Sequence, residues 1–335
     1  MLALRVRTNF SHANFLILCV ASVHLAQWVT VPARFAAQLC GYRRHGTPNT
    51  SDNNDSQSKE LGHALFEQLG VIAGQVGPTD PGTALEEATR LDLATRRPDL
   101  SIRRSRSVAE FSQYRHLAVL PSFSKTYKPV SRAMDELQEL ANRLPKSAEA
   151  TKLKSALRRK VAQYAKQDVL TRQMLLEMPE EAILKVDLTV GGAGANDDIH
   201  MYAGVSAKWS LRTDRAQDCI SQGSRLATQR RGAMPHFAVL TMEPRPAMLR
   251  ILADGSGAID CVYHLDLPAL TRAIEEVAST KPSRWSPKRT FDRLIQQGRI
   301  RDYDELVRTV QRVPKTELLA ESDSAPSPAG ADPDV

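Results

Sequence analysis

The chain is poor in features that would assign a function quickly. It has only four cysteines in 335 residues, at positions 19, 40, 219 and 261, and no pair has CxxC spacing. No His/Cys cluster has zinc-ligand spacing either, so four reduced thiols are expected rather than a disulfide framework or a zinc site. No internal repeat is present, which excludes a repeat array. No apolar run is long and clean enough to span a bilayer. The best approach, Phe15 to Val31, follows Arg5 and Arg7 but is interrupted by His24 and Gln27. It reads as a core helix or as an extension upstream of the true start, residues 1–30, rather than as a signal peptide or membrane span. A cytoplasmic location is expected. Basic residues are missing from 317–335, where Glu317, Glu321, Asp323, Asp332 and Asp334 stand among Ala, Ser and Pro; this is expected to be a disordered acidic tail.

The remaining chain is basic and has material for a core. The formal charge is +7, with 42% hydrophobic residues, which excludes wholesale disorder. A basic body favours polyanions only weakly. Residues 44–58 are polar and turn-rich and read as a loop, with Ser58 as cap of a helix over 59–69 carrying Leu61, Leu65 and Leu69. Helices are expected at 83–96, 108–120, 130–145 and 148–168, the last strongly basic, with a short extended piece at 98–102. After Pro179 the pattern changes. Strands are expected at 182–190, 199–211, 236–241 and 257–265, with helices at 213–230, 267–279 and 288–312. Strands separated by helices predict an α/β fold, a mixed central sheet covered on both faces. The main domain is expected over 31–316, with a helical insertion near 121–180.

Asp187 lies inside an apolar strand, where a carboxylate is costly unless paired or metal-bound. The plainer reading is a strand-end Asp facing solvent. On the next expected strand, Ser206 and Lys208 alternate to one face and Ala207 to the other. If the two strands pair, Asp187 and Lys208 share a face. Phosphodiester hydrolysis needs that chemistry: oxygens that hold hard cations, and a positive group beside the attacking water. Just beyond, Arg212, Asp214 and Arg215 stand where a helix begins. A capping role explains Thr213 or Asp214. It does not explain two arginines at the positive end of a helix dipole. Arginine reads guanine O6 and N7, and Asp accepts from the cytosine amino group, so the three suit G·C pairs in a major groove.

These residues carry a resemblance. The runs SAKWSLRTDRAQ (206–217), RRGAMPHFAVLTMEP (230–244) and GAIDCVYHL (257–265) resemble the NgoMIV family of type II restriction endonucleases, with weaker likeness at GTALEE (82–87) and AEFSQYRHLAVL (109–120). The resemblance implies a PD-(D/E)XK, restriction-endonuclease-like fold and Mg²⁺-dependent cleavage of double-stranded DNA at a palindrome with a CCGG core, leaving 5′ overhangs. It implies Asp187, Glu86 and the Ala207 carbonyl as metal ligands, Ser206 and Lys208 as the rest of the catalytic set, and Arg212, Asp214 and Arg215 as readers of the core. It further implies a homo-oligomer, dimer or tetramer, and a companion methyltransferase acting on the same site. Glu87 is the fallback for Glu86. Three departures stand out. Gln222 occupies a position where the family has Glu, the family's outer-base Arg falls at Met248 with Arg245 and Arg250 nearby, and residues 121–180 are expanded. Gln222 motivates an alternative, a catalytically impaired DNA-binding protein of the same fold. A structure-specific repair nuclease is a further alternative. His236 and His264 are expected to serve packing rather than catalysis.

Overall fold

The computed structural model describes residue 33 and residues 35–177, 184–194, 198–254 and 257–315. The apolar segment 15–31 and the acidic tail lie outside the described residues. Among the described residues, no helix is long and apolar enough to cross a membrane.

The N-terminal part is helical. A short α1 (Ala36–Leu39) leads to a compact loop and then α2 (Ser56–Gln68). Asp55, not Ser58, caps α2: its carboxylate accepts from the Gln57 and Ser58 amides, the geometry of a preferred N-cap residue. Ser58 is instead buried one turn in, where its hydroxyl accepts from the Asp52 amide. Helix α3 (Pro81–Arg96) begins with an Asp80 cap and Pro81 in its first turn, where a missing N–H costs nothing. Its buried stripe is Leu85, Thr89 and Leu93, spaced by four.

Strand β1 (Ser101–Ser107) follows. Two 3-10 turns and α4 (Val119–Thr126) replace the single helix expected over 108–120. The reason lies in Gln113, whose side chain both donates to the Met201 carbonyl and accepts from the Met201 amide. That pair of hydrogen bonds ties the segment to the strand that carries Met201, in place of a regular helix. Helices α5 (Val130–Asn142) and α6 (Ala148–Glu177) form the insertion. Helix α6 runs nine residues past the expected end at 168. Asp168 caps α5 from α6, accepting from the Val130 and Ser131 amides and the Tyr127 hydroxyl.

The remaining elements build the sheet: β2 (Lys185–Ala193), β3 (Ile199–Lys208), α7 (Thr213–Gln229), β4 (His236–Thr241), α8 (Pro246–Ala253), β5 (Cys261–His264), α9 (Leu267–Ser279), α10 (Ser286–Gln296), β6 (Ile300–Asp302) and α11 (Tyr303–Gln311). The six strands lie in chain order, β1 to β6. The β1–β2 and β2–β3 pairs are antiparallel, and β3 to β6 run parallel. The mixed α/β sheet is therefore as expected. The helix expected over 288–312 is broken. Gly298, at φ +64°, ends α10 in a conformation that suits glycine, and Ile300–Asp302 joins the sheet as β6. The parallel strands read as nearly continuous apolar runs because both faces are covered: Phe237 to Leu240 and Cys261 to Tyr263 are all essentially inaccessible.

Candidate active site and nucleic-acid interface

The antiparallel register of β2 and β3 builds the site. Leu188 pairs with Val205, so Asp187 falls opposite Ser206 and the two side chains share a face. Lys208, two residues on, points the same way. One oxygen of Asp187 collects all three neighbours: the Ser206 hydroxyl at 3.1 Å, the Ala207 amide at 3.0 Å and the Lys208 ammonium at 2.7 Å. The solvent-face reading of Asp187 is thus replaced by a paired, half-buried one; Asp187 and Lys208 are each 20% exposed. Burial works against the Lys208 charge, but Asp187 outweighs it and holds the ammonium pKa above its ordinary value.

Glu86 comes to this cluster from α3. Burial pushes its pKa up and the neighbouring Asp187 charge adds to that, while Arg104 of β1 opposes both. Arg104 grips Glu86 through two nitrogens, at 2.9 and 3.0 Å, and reaches Glu87 at 3.3 Å. Glu87 itself is paired with Arg90. Glu86, not Glu87, is the carboxylate that lines the shared cleft with Ala207 and Lys208.

That cleft has a volume of about 700 Å³. Its rim carries Arg212 and Arg215 from the start of α7 and Arg43 from the N-terminal loop. Arg212, Asp214 and Arg215 are all exposed. The N-cap of α7 is Arg212, not Thr213 or Asp214, and among the described residues no side chain caps this end. The first turn therefore presents free amides as well as two guanidinium groups, a combination suited to a polyanion. Among the described residues, Arg215 makes only a long 3.4 Å contact to the Ser210 carbonyl.

The N-terminal loop was invisible as a site element. Its polarity reads as solvent-exposed turn, yet Thr47, Asn49, Thr50 and Ser51 are buried and Ser51 to Asn54 line the cleft. Asn49 holds it there, accepting from the Trp209 indole at 3.1 Å and donating to the Leu39 carbonyl at 2.9 Å. Of the basic residues near the expected outer-base position, Arg245 is buried and engaged with Glu243, Asp55 and Leu211, whereas Arg250 is exposed on α8. Neither His236 nor His264 lines the cleft. His236 bonds Asp260 and the Tyr263 hydroxyl, and His264 is fully buried. Cys40, Cys219 and Cys261 are buried free thiols.

A family model described as "NgoMIV restriction enzyme" matches residues 94–308, almost two thirds of the chain. The chain belongs to the NgoMIV restriction enzyme family. The type II restriction enzyme NgoMIV of Neisseria gonorrhoeae is 42% identical over 77 residues, 23% of this chain. That alignment spans only 27% of the relative's length. Glu86 and the N-terminal loop lie before the stretch matched by the NgoMIV model, so their place at the cleft is a finding of the structure.

A restriction enzyme family implies a divalent metal cofactor, and the donor set fits one. Asp187 and Glu86 offer hard carboxylate oxygens, which suit Mg²⁺ better than soft metals. Among the described residues, no three His, Cys, Asp or Glu side chains converge on a single point. Gln222, the departure noted in the sequence, has its Oε1 buried without a hydrogen-bond partner among the described residues. It lies one turn beyond Cys219, the α7 residue that touches the Ser206 hydroxyl. An amide oxygen with unused lone pairs can accept from a water.

Proposed function

We propose that this chain is a Mg²⁺-dependent type II site-specific deoxyribonuclease that cuts duplex DNA at a palindrome with a CCGG core and leaves 5′ overhangs. The observation that carries this reading is a juxtaposition. Lys208, bonded to Asp187, and the two arginines at the start of α7 line one cleft with Glu86, and only residues 209–211 separate Lys208 from Arg212.

In this reading each residue has a defined task. Asp187 and Glu86, with the Ala207 carbonyl, hold the cation. When bound, Mg²⁺ neutralises the charge that builds on the scissile phosphate and lowers the pKa of attacking water. Lys208 faces the cluster as a fixed positive charge, orients the nucleophile and accompanies the phosphate charge. Ser206 donates to the same Asp187 oxygen as Lys208 and helps fix the carboxylate orientation. Arg212 and Arg215 donate to guanine edges, and Asp214 accepts from cytosine. The resulting ends carry a 5′-phosphate and a 3′-hydroxyl. A palindrome read by one α7 per half-site requires at least a two-fold dimer. A methyltransferase that modifies the same site, and a cytoplasmic location, go with this role.

The test is digestion of a plasmid containing CCGG sequences with Mg²⁺, followed by sequencing of the ends. Breaks confined to those sites with four-base 5′ extensions are expected. Scattered breaks, or none from folded protein, would overturn the proposal. Gln222 favours a second reading, a binder of the same site with impaired cutting; it predicts site-specific retention of DNA with no ends generated.

A further inference from the structure

The residues after β4 contain a buried ion pair that the chemistry above does not use. Glu243 is wholly inaccessible and the Arg245 side chain is 8% exposed. Arg245 Nε donates to Glu243 Oε1 at 2.6 Å. The pair closes on a single residue. Glu243 Oε2 accepts from the Leu211 amide at 2.7 Å, and Arg245 Nη2 donates to the Leu211 carbonyl at 2.7 Å. Leu211 is the residue immediately before Arg212, the N-cap of α7. The third arm of the guanidinium, Nη1, donates to Asp55 Oδ2 at 3.1 Å, while Oδ1 of the same Asp55 caps α2.

Buried ion pairs seldom stabilise a fold more than well-packed apolar residues of the same volume. Their clearest use is to specify geometry, because both charges demand a fixed set of partners. Here the partners are the two main-chain groups of one turn residue. The other end of the turn is held as well: the Trp209 carbonyl accepts from the Met242 amide at 3.1 Å.

We propose that Glu243 and Arg245 are positioning residues for sequence reading: their buried pair clamps Leu211 and so aims the Arg212 and Arg215 side chains at the DNA. The proposal rests on the site-specific reading above. It also assigns Arg245 a role other than base contact. A base-reading guanidinium must be free to enter a groove, and all three nitrogens of Arg245 are committed inside the protein. Recognition geometry tolerates only about 0.5 Å of misplacement, so loss of the clamp is felt at the arginine tips before it is felt in the core.

The test is Arg245→Lys together with the double variant Glu243→Leu/Arg245→Met. Lysine keeps the charge but cannot reach Glu243, Leu211 and Asp55 at once. The apolar pair removes the buried charges and releases Leu211. Folding is checked by circular dichroism and melting. Dissociation constants are measured without divalent cations for a CCGG duplex and for duplexes with one core pair changed. In a folded variant, the ratio between changed and unchanged sites should fall about tenfold or more from the wild-type value. A folded variant that keeps the wild-type ratio, including one whose affinity drops uniformly on every duplex, overturns the clamp. Failure of both variants to fold also overturns it, since the pair is then a folding element. If the wild-type protein itself shows no preference, the site-specific reading fails and the clamp falls with it.

Discussion

Asp187→Asn separates cutting from binding and can be worked through from the geometry. The replacement keeps shape and leaves an oxygen that can still accept from Ser206 and the Ala207 amide. It removes the charge that partners Lys208 at 2.7 Å. Unpairing a fully buried ion costs about 3–5 kcal/mol, but Lys208 and Asp187 are each 20% exposed, so about 1–2 kcal/mol is the proper scale. Opposing this, the Asp187 charge raises the Glu86 pKa, and that repulsion disappears. The net change in stability should be within about 1 kcal/mol, a melting shift of roughly 2–4 °C for a chain of this size. Cleavage should respond quite differently. Stabilisation by a bound cation is worth several kcal/mol, and each 1.36 kcal/mol is tenfold, so the rate should fall roughly 10³-fold or more. Binding to the same duplex should hold or tighten, since a negative charge next to a phosphate is lost. Plasmid cleavage in Mg²⁺, retardation of a labelled CCGG duplex and a melting curve measure the three quantities. An Asn variant that cuts at more than about a tenth of the wild-type rate would refute the assignment of Asp187.

Other changes probe other parts of the site. Arg215→Ala, at an exposed position with one long contact, should leave melting unchanged and cost about 1–3 kcal/mol of discrimination at one core base pair; an unaltered specificity profile would remove Arg215 from the reading set. Gln222→Glu supplies an acid at the orphaned oxygen and should raise cleavage of CCGG plasmid, whereas a fall in rate would indicate that the amide is the better group there. Arg104→Ala frees Glu86 and should tighten Tb³⁺ binding roughly threefold to tenfold by luminescence titration; unchanged or weaker binding would mean that Arg104 does not compete for that carboxylate. Burial opposes the His236 charge, but Asp260 at 2.7 Å and the neighbouring Cys261 lift its pKa from 6.5 to about 9. Its stabilisation is therefore complete below pH 6.5 and lost as pH rises through about 9. Allowing for the half-exposed Asp260, about 1–2 kcal/mol should vanish over that window, seen by urea denaturation and absent in His236→Gln.

Much of the sheet was legible because its strands are short apolar runs between turn residues. The His236–Thr241 strand and the 267–279 helix coincide with expectation. Strand β6 was not, because Ile300-Arg301-Asp302 is too short and polar to show alternation; it becomes a strand only by pairing in parallel with β5. Gly298 was the available signal, a residue fit for positive φ in the middle of a helical pattern. The placement of Asp187 beside Lys208 could be anticipated from two-residue alternation, given the pairing of the strands. Nothing in the local pattern distinguishes Glu86 from Glu87; the family resemblance alone favoured Glu86, and Glu86 is the one of the two that lines the cleft. The Arg104 partner, the buried loop at 47–51 and the Glu243–Arg245 pair all depend on contacts between distant segments. A Glu-Pro-Arg sequence after a strand reads as an ordinary polar turn, although an acid placed directly beyond a fully buried strand could have hinted at a buried partner.

Between Lys208 and Arg212 the polypeptide behaves as a gauge block. In the proposed reading, its length sets the offset between the base-reading arginines and the scissile phosphodiester. On that reading, new sequence preferences would be reached by exchanging side chains on the first turn of α7, with the cut staying in place. A single inserted residue at 209–211 would shift the two functions out of step together.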